Sequence, residues 1–170
     1  DEIVGQPHLL GPGSALRRLS ETDASTSVVL WGPPGTGKTT IANVIALTTQ
    51  QRFDELSATS AGVKEVRAAL TAAEKARSDD NVGTVLFIDE VHRFSKSQQD
   101  ALLPGVEAGL VTFVGATTEN PFFSVISPLL SRSLLLTLEP LDDDAIQALI
   151  ERAMKDPRGL GGDLTLPPAS

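Results

Sequence analysis

The chain has 170 residues, of which 41% are hydrophobic and 21% charged, enough for one globular domain with a sizeable core. Its 14 basic and 22 acidic residues give a formal charge of −8, which excludes a surface that grips a polyanion all over and leaves room only for a local basic patch. Zero cysteines exclude disulfides and thiolate metal sites, and neither a long apolar run nor a charged-then-apolar leader points to a membrane span or a signal peptide, so the expectation is a soluble intracellular protein.

Residues 1–23 contain Pro7, Gly11, Pro12 and Gly13 and read as an irregular lead, then a short amphipathic helix with Leu16 and Leu19 on one face; Asp1 reads as a cut end. From residue 27 onward strand and helix signals alternate. Strands are predicted at 27–31, 52–57, 84–89, 111–117 and 133–138, and helices at 38–50, 63–76, 97–108 and, briefly, 125–130. Pro104 is expected to break the third of these helices in two. Near-continuous apolar strands such as Val85-Leu86-Phe87-Ile88 belong in a parallel sheet covered on both faces, so the predicted fold is doubly wound α/β. Beyond Pro140 the pattern changes to one helix at 142–155, with Asp142 as N-cap and Ile146, Leu149 and Ile150 apolar, followed by a Gly/Pro-rich tail. The expected division is a core domain at 1–140 and the start of a helical domain at 141–170, cut short.

The most specific signal is Gly32-Pro33-Pro34-Gly35-Thr36-Gly37-Lys38-Thr39, a complete phosphate-binding loop between the predicted strand Val28-Val29-Leu30-Trp31 and the helix that starts at Lys38. Glycines let backbone N–H groups turn onto phosphates, and the helix N-terminus adds the positive end of its dipole. Lys38 is expected to reach the β- and γ-phosphates of a nucleoside triphosphate, and Thr39 a magnesium ion.

Such a site needs a carboxylate held rigidly at the end of a neighbouring strand, and Val85-Leu86-Phe87-Ile88-Asp89-Glu90 supplies one. Asp89 is expected to hold the metal through its water shell, and Glu90 to orient and deprotonate the attacking water. Its plainer alternative is a carboxylate that solvates a strand end. After the strand at 111–117 comes Glu119-Asn120-Pro121, where Asn120 either faces the γ-phosphate or caps the next turn. Arg132 either favours the C-terminus of a short helix or acts as an arginine finger on a neighbouring subunit's nucleotide. Arg93, Lys96 and the polar run 95–99 are either a solvated helix start or a contact with DNA or another subunit. His8 and His92 lack carboxylates at ligand spacing, and Trp31 is expected in the core.

Taken together, these blocks resemble the AAA+ ATPases. Within them, GPPGTGKTTIA, FIDEVHRFSKSQQDALLPGVEAG and TFVGATTENPFFSVISPLLSR resemble the replication-associated recombination protein A family, relatives of the Werner-helicase-interacting ATPase, and Asp1-Glu2-Ile3-Val4-Gly5-Gln6 is similar to its N-terminal box. Clamp-loader subunits share the phosphate loop and Ser131-Arg132. The Holliday-junction branch-migration motor shares an Asp-Glu-hydrophobic-His-Arg run and a Gly-Ala-Thr-Thr run. The SKSQQDALLPGVE block and Glu119-Asn120-Pro121 favour the first family.

The resemblance implies a P-loop AAA+ core with a five-stranded parallel sheet of order 5-1-4-3-2 and a small helical lid. It implies ATP and Mg2+ as ligands, with Gly32, Pro33, Pro34, Gly35, Thr36, Gly37, Lys38, Thr39 and Thr40 around the phosphates and Ile3, Val4 and the hinge residue Leu141 beside the adenine. Asn120 becomes the sensor-1 residue and Arg132 the finger that acts in trans. The implied protein is a homo-oligomeric, DNA-stimulated ATPase working on forked or single-stranded DNA at stalled or damaged replication forks. It is cytoplasmic and nucleoid-associated, with single-strand binding protein and fork proteins as partners. The sensor-2 arginine belongs to a later lid helix that does not occur before Ser170, which implies a fragment that hydrolyses ATP poorly. Two rival functions stand beside this one. A P-loop kinase or GTPase is disfavoured by the missing Asn-Lys-x-Asp signature and by the Asp89-Glu90 pair; a nucleotide-gated binding module with little turnover is disfavoured by an intact Glu90.

Overall fold

The central strands come from apolar runs rich in Val, Leu and Ile, the edge strand at 52–57 is largely polar, and the computed structural model, which describes residues 3–14 and 26–158, joins all five into one sheet. They are β1 (Ser27–Trp31), β2 (Arg52–Ser57), β3 (Thr84–Asp89), β4 (Val111–Thr117) and β5 (Ser133–Thr137). Every neighbouring pair is parallel, in the order β2-β3-β4-β1-β5. That is the predicted order read from the other edge. The register is set by pairs such as Leu30 with Ala116, Leu30 with Leu136 and Phe87 with Val114.

Because strand side chains alternate, each central strand feeds two cores. Val28, Leu30, Val85, Phe87, Val114 and Ala116 meet Ile41, Ala42 and Ile45 of helix α2 (Lys38–Thr48) on one face. Val29, Leu86, Ile88 and Phe113 meet the other core, built with α3 (Val63–Asp80), α4 (Lys96–Glu107) and α6 (Ser127–Ser131). β4 is buried along its whole length, whereas edge strand β2 is half-exposed. The remaining helices are α1 (Pro7–Leu10), α5 (Pro121–Ser124) and α7 (Asp143–Lys155).

Three expectations change and one is not reached. Residues 7–10 of the irregular lead form α1, with proline in its first turn, where a missing N–H costs nothing. The helix predicted near Leu16 and Leu19 lies outside the described residues. Pro104 does not split its helix: α4 runs unbroken through it, and Ala108 N still bonds Pro104 O at 3.0 Å. Pro104 and Asp100 both face solvent, so the carbonyl left without its N–H partner has water available, while Leu102 anchors the other side of the helix in the core. Finally, 121–131 form two short helices rather than one, because Val125 and Ile126 are extended (ψ 134° and 142°) and Pro121 and Pro128 each open a new first turn. Asp142 caps α7 as expected, its Oδ1 accepting from Ala145 N at 2.8 Å. Among the described residues no helix is long and apolar enough to cross a membrane.

Candidate nucleotide site

In a parallel sheet the carboxyl ends of the strands share one edge, and the loops leaving them form the crevice. Here β1 runs into 32–37 and β3 into Asp89-Glu90, so the two motifs, more than 50 residues apart in sequence, line one cleft of about 480 Å³. Gly35 and Gly37 have φ of +76° and +91°, a left-handed backbone that a Cβ would resist, and Gly37 is the residue from which α2 starts. That N-terminus has no side-chain cap, and the first residues of α2, Lys38, Thr39 and Thr40, line the cleft beside the loop.

The Lys38 ammonium turns back on its own loop. It donates to Gly32 O at 2.9 Å and Pro33 O at 2.6 Å, with Thr36 Oγ1 at 3.4 Å. Burial pulls its pKa below the usual lysine value, and the Asp89 carboxylate opposes that pull. Asp89 Oδ1 accepts from Glu90 N at 3.0 Å. Glu90 itself has φ 52° and ψ 45°, a left-handed conformation that costs a non-glycine residue on the order of 1 kcal/mol and is held here by its surroundings. Its Oε2 lies 3.1 Å from Arg93 Nε across the one-turn 3-10 helix Val91–Arg93. His92 Nδ1 shares a hydrogen bond of 3.0 Å with Thr117 Oγ1, tying that turn to the end of β4.

The apolar end of the cleft is assembled from three distant segments: Ile3 and Val4, the hinge residue Leu141, and Leu149 of α7. Gln6 ties the first two segments together. It is fully buried, donates Nε2 to Glu139 O at 2.7 Å and accepts at Oε1 from Glu139 N at 3.1 Å, so its carboxamide pairs with the backbone as a strand would. Gly5 lies so close to Leu141 that a Cβ there would stand 2.4 Å from Cδ2, and its φ of +76° favours glycine as well.

The structure brings Ile3, Val4, Pro34, Gly35, Thr36, Gly37, Lys38, Thr39, Thr40, Asp89, Glu90 and Leu141 to one cleft, and adds Thr118 and Leu149. Leu149 was legible only as one apolar position of an amphipathic helix; nothing in the sequence placed that helix against the loop. Gly32 and Pro33 contribute carbonyls to Lys38 instead of lining the wall. Asn120 also stays off the wall: it caps α5, its Oδ1 accepting from Phe122 N at 3.0 Å. Arg132 lies elsewhere too. It closes α6, donates to Pro128 O at 3.1 Å and pairs with Glu107 at 3.1 Å. Trp31 ends β1 half-buried, and His8 bonds Thr137 O at 2.9 Å.

Comparison with known proteins agrees with this geometry. The model of the ATPase family associated with various cellular activities (AAA) matches residues 28–138. An uncharacterized AAA domain-containing protein of Mycobacterium tuberculosis is 59% identical over 99% of this chain, and the replication-associated recombination protein A of Escherichia coli is 50% identical over 98%. The chain spans 37% of the length of each of these curated relatives. Among solved structures, a variant of RuvB, the Holliday junction branch migration motor of Thermotoga maritima, superposes with a TM-score of 0.73 at 31% identity, over 91% of this chain and 52% of that one. A complete phosphate loop, an Asp-Glu strand end on the same cleft, the β2-β3-β4-β1-β5 sheet and these matches agree: the chain belongs to the AAA ATPase family, with relatives named replication-associated recombination protein A.

Proposed function

We propose that this chain is the ATP-binding and ATP-hydrolysing core of an oligomeric ATPase that acts on DNA at stalled or damaged replication forks. The observation that carries the enzymatic part is the convergence of Lys38, Thr39, Asp89 and Glu90 on one cleft. The adenine lies against Ile3, Val4, Leu141 and Leu149, and the triphosphate follows the loop 34–40, where backbone N–H groups and the start of α2 meet its charge. Lys38 exchanges the carbonyls of Gly32 and Pro33 for β- and γ-phosphate oxygens, acceptors that carry charge and hold it better.

The residues present fit magnesium. Among the described residues no group of three or more carboxylates or histidines could cage a metal, and none is needed where the ion arrives on phosphates and keeps several waters. Thr39 and Asp89 would hold it, and bound magnesium supplies positive charge to the β/γ-oxygens. Glu90 orients a water toward the γ-phosphate and takes its proton. Arg132, outside its own cleft, serves the nucleotide of the next subunit, and Asn120 helps place the water once its cap on α5 gives way. Residues 1–140 form the core domain and 141–170 begin the lid, with α7 closing the adenine end through Leu149.

The fork assignment is supported by the higher identity to the replication-associated recombination protein A of Escherichia coli, 50% against 31% for the RuvB variant. ATP hydrolysis measured on the full-length protein with single-stranded, forked and four-way DNA tests both parts. Stimulation by forked or single-stranded DNA is the expected result. Preference for four-way DNA transfers the function to branch migration, and no hydrolysis with any DNA leaves a passive nucleotide-gated module.

A further inference from the structure

Gln99, in the first turn of α4, is 2% exposed, and its carboxamide bonds only to backbone. Nε2 donates to Phe94 O at 3.2 Å and to Ser124 O at 2.9 Å, while Oε1 accepts from Ile126 N at 2.8 Å. Phe94 ends the turn that leaves Glu90. Ser124 and Ile126 flank Val125 in the connector between α5 and α6, roughly midway between Asn120 and Arg132. One buried side chain therefore joins the segment that carries Glu90 to the segment that carries Arg132.

The other anchors of that connector are apolar: Val125 is buried, and Ile126 and Leu130 pack partly buried against the same core. Phe122 and Phe123 point outward, 66% and 90% exposed, and the buried side chains of 121–131 are Pro121, Val125 and Leu129. A helix as short as α6 has no stability of its own, so its direction is set where its first residue is fixed. Ile126 is its N-cap, and Gln99 takes the N–H of Ile126.

We propose that Gln99 is a positioning residue that keys the Arg132-bearing helix to the Glu90 turn, so that a subunit presents Arg132 to its neighbour in register with its own hydrolytic site. This rests on the reading of Arg132 as a finger acting in trans. A leucine at 99 keeps the volume but takes the partner from two carbonyls and an N–H that are buried or partly buried, and the connector must shift to satisfy them. A shift of about 1 Å in a charged group aimed at a transition state is enough to cost on the order of 10²-fold in rate.

The test uses mixed oligomers of the full-length protein. In the reference mixture, Glu90→Gln subunits supply only Arg132 and Arg132→Ala subunits supply only a working site, so recovered ATPase measures the finger alone. Adding Gln99→Leu to the Glu90→Gln subunits should lower the recovered kcat about 10- to 100-fold while KM for ATP changes less than about twofold. Ile126→Pro in the same subunits should do the same by removing only the N–H from the backbone: φ of −62° at 126 and the extended Val125 before it suit a proline. Full recovery with either variant overturns the proposal and leaves Arg132 in place. No recovery in the reference mixture removes Arg132's role in trans, and the proposal with it. Loss accompanied by failed assembly or weakened ATP binding in both variants also overturns it, because that is the signature of a merely structural side chain.

Discussion

The loop 32–39 and the segment 118–132 leave adjacent strands, β1 and β4, at the same edge of the sheet, yet they do opposite things. The loop folds inward, with Lys38 held by the carbonyls of Gly32 and Pro33. Its neighbour turns outward: Asn120 caps a short helix, Phe123 is 90% exposed, and Arg132 pairs with Glu107 away from the cleft. On the proposed reading the first meets its nucleotide with groups of one chain, the backbone N–H groups of the glycine loop together with the Lys38 and Thr39 side chains. The second offers side chains whose use depends on what is placed opposite them. On the proposed reading a single chain thus carries one half of a site for its own nucleotide and one half that serves another copy.

The sharpest way to break this contrast is Arg132→Ala in the full-length oligomer. It should cut kcat by about 10³- to 10⁵-fold, roughly 4 to 7 kcal/mol of barrier, with ATP affinity almost unchanged. Steady-state hydrolysis at the wild-type rate would remove the outward segment from the chemistry. Next comes Glu90→Gln, expected to slow single-turnover hydrolysis about 10²- to 10⁴-fold while a fluorescent nucleotide still binds. If turnover persists, the strained turn after β3 has another purpose. Lys38→Ala should weaken ATP binding by roughly 10- to 100-fold in calorimetric titration, the scale of lost charge-assisted bonds, and an unchanged Kd would contradict the inward half.

Two smaller effects concern the frame that holds the loop and the hinge. A Cβ at Gly32 would lie 2.7 Å from Leu138 O and 3.0 Å from Leu138 Cβ, so Gly32→Ala should destabilise the fold by about 1 to 3 kcal/mol in urea unfolding. A wild-type midpoint would show that the end of β1 and the chain just after β5 can separate freely. Asp142→Ala deletes the cap on α7 and should cost about 1 kcal/mol, read as a lower Tm with hydrolysis chemistry untouched. No change in Tm would mean that packing of Leu149, not the cap, fixes α7.

The fold was legible because its signals are local. Four strands keep their predicted bounds, and the fifth ends at Thr137, one residue earlier, although Leu138 N still bonds Trp31 O at 2.7 Å. The Asp89-Glu90 pair announced itself through the strand before it. Pro104 misled because local propensity has no knowledge of which helix face meets solvent. The pairings of Gln6 and Gln99 were silent for a related reason: both glutamines bond backbone that is distant in sequence, Glu139 for one and Ser124 and Ile126 for the other.

By itself, then, the sequence determined the phosphate loop, the acidic strand end and the parallel sheet, since each depends on backbone freedom or on the period of apolar residues over a few positions. Only the tertiary structure decided that Ile3, Val4, Leu141 and Leu149 form one wall, that Glu90 stands in a left-handed turn, and that Asn120 and Arg132 face away from the cleft. Those outcomes hang on which distant surfaces pack together, and burial of whole faces, not the preference of any short segment, chooses among them.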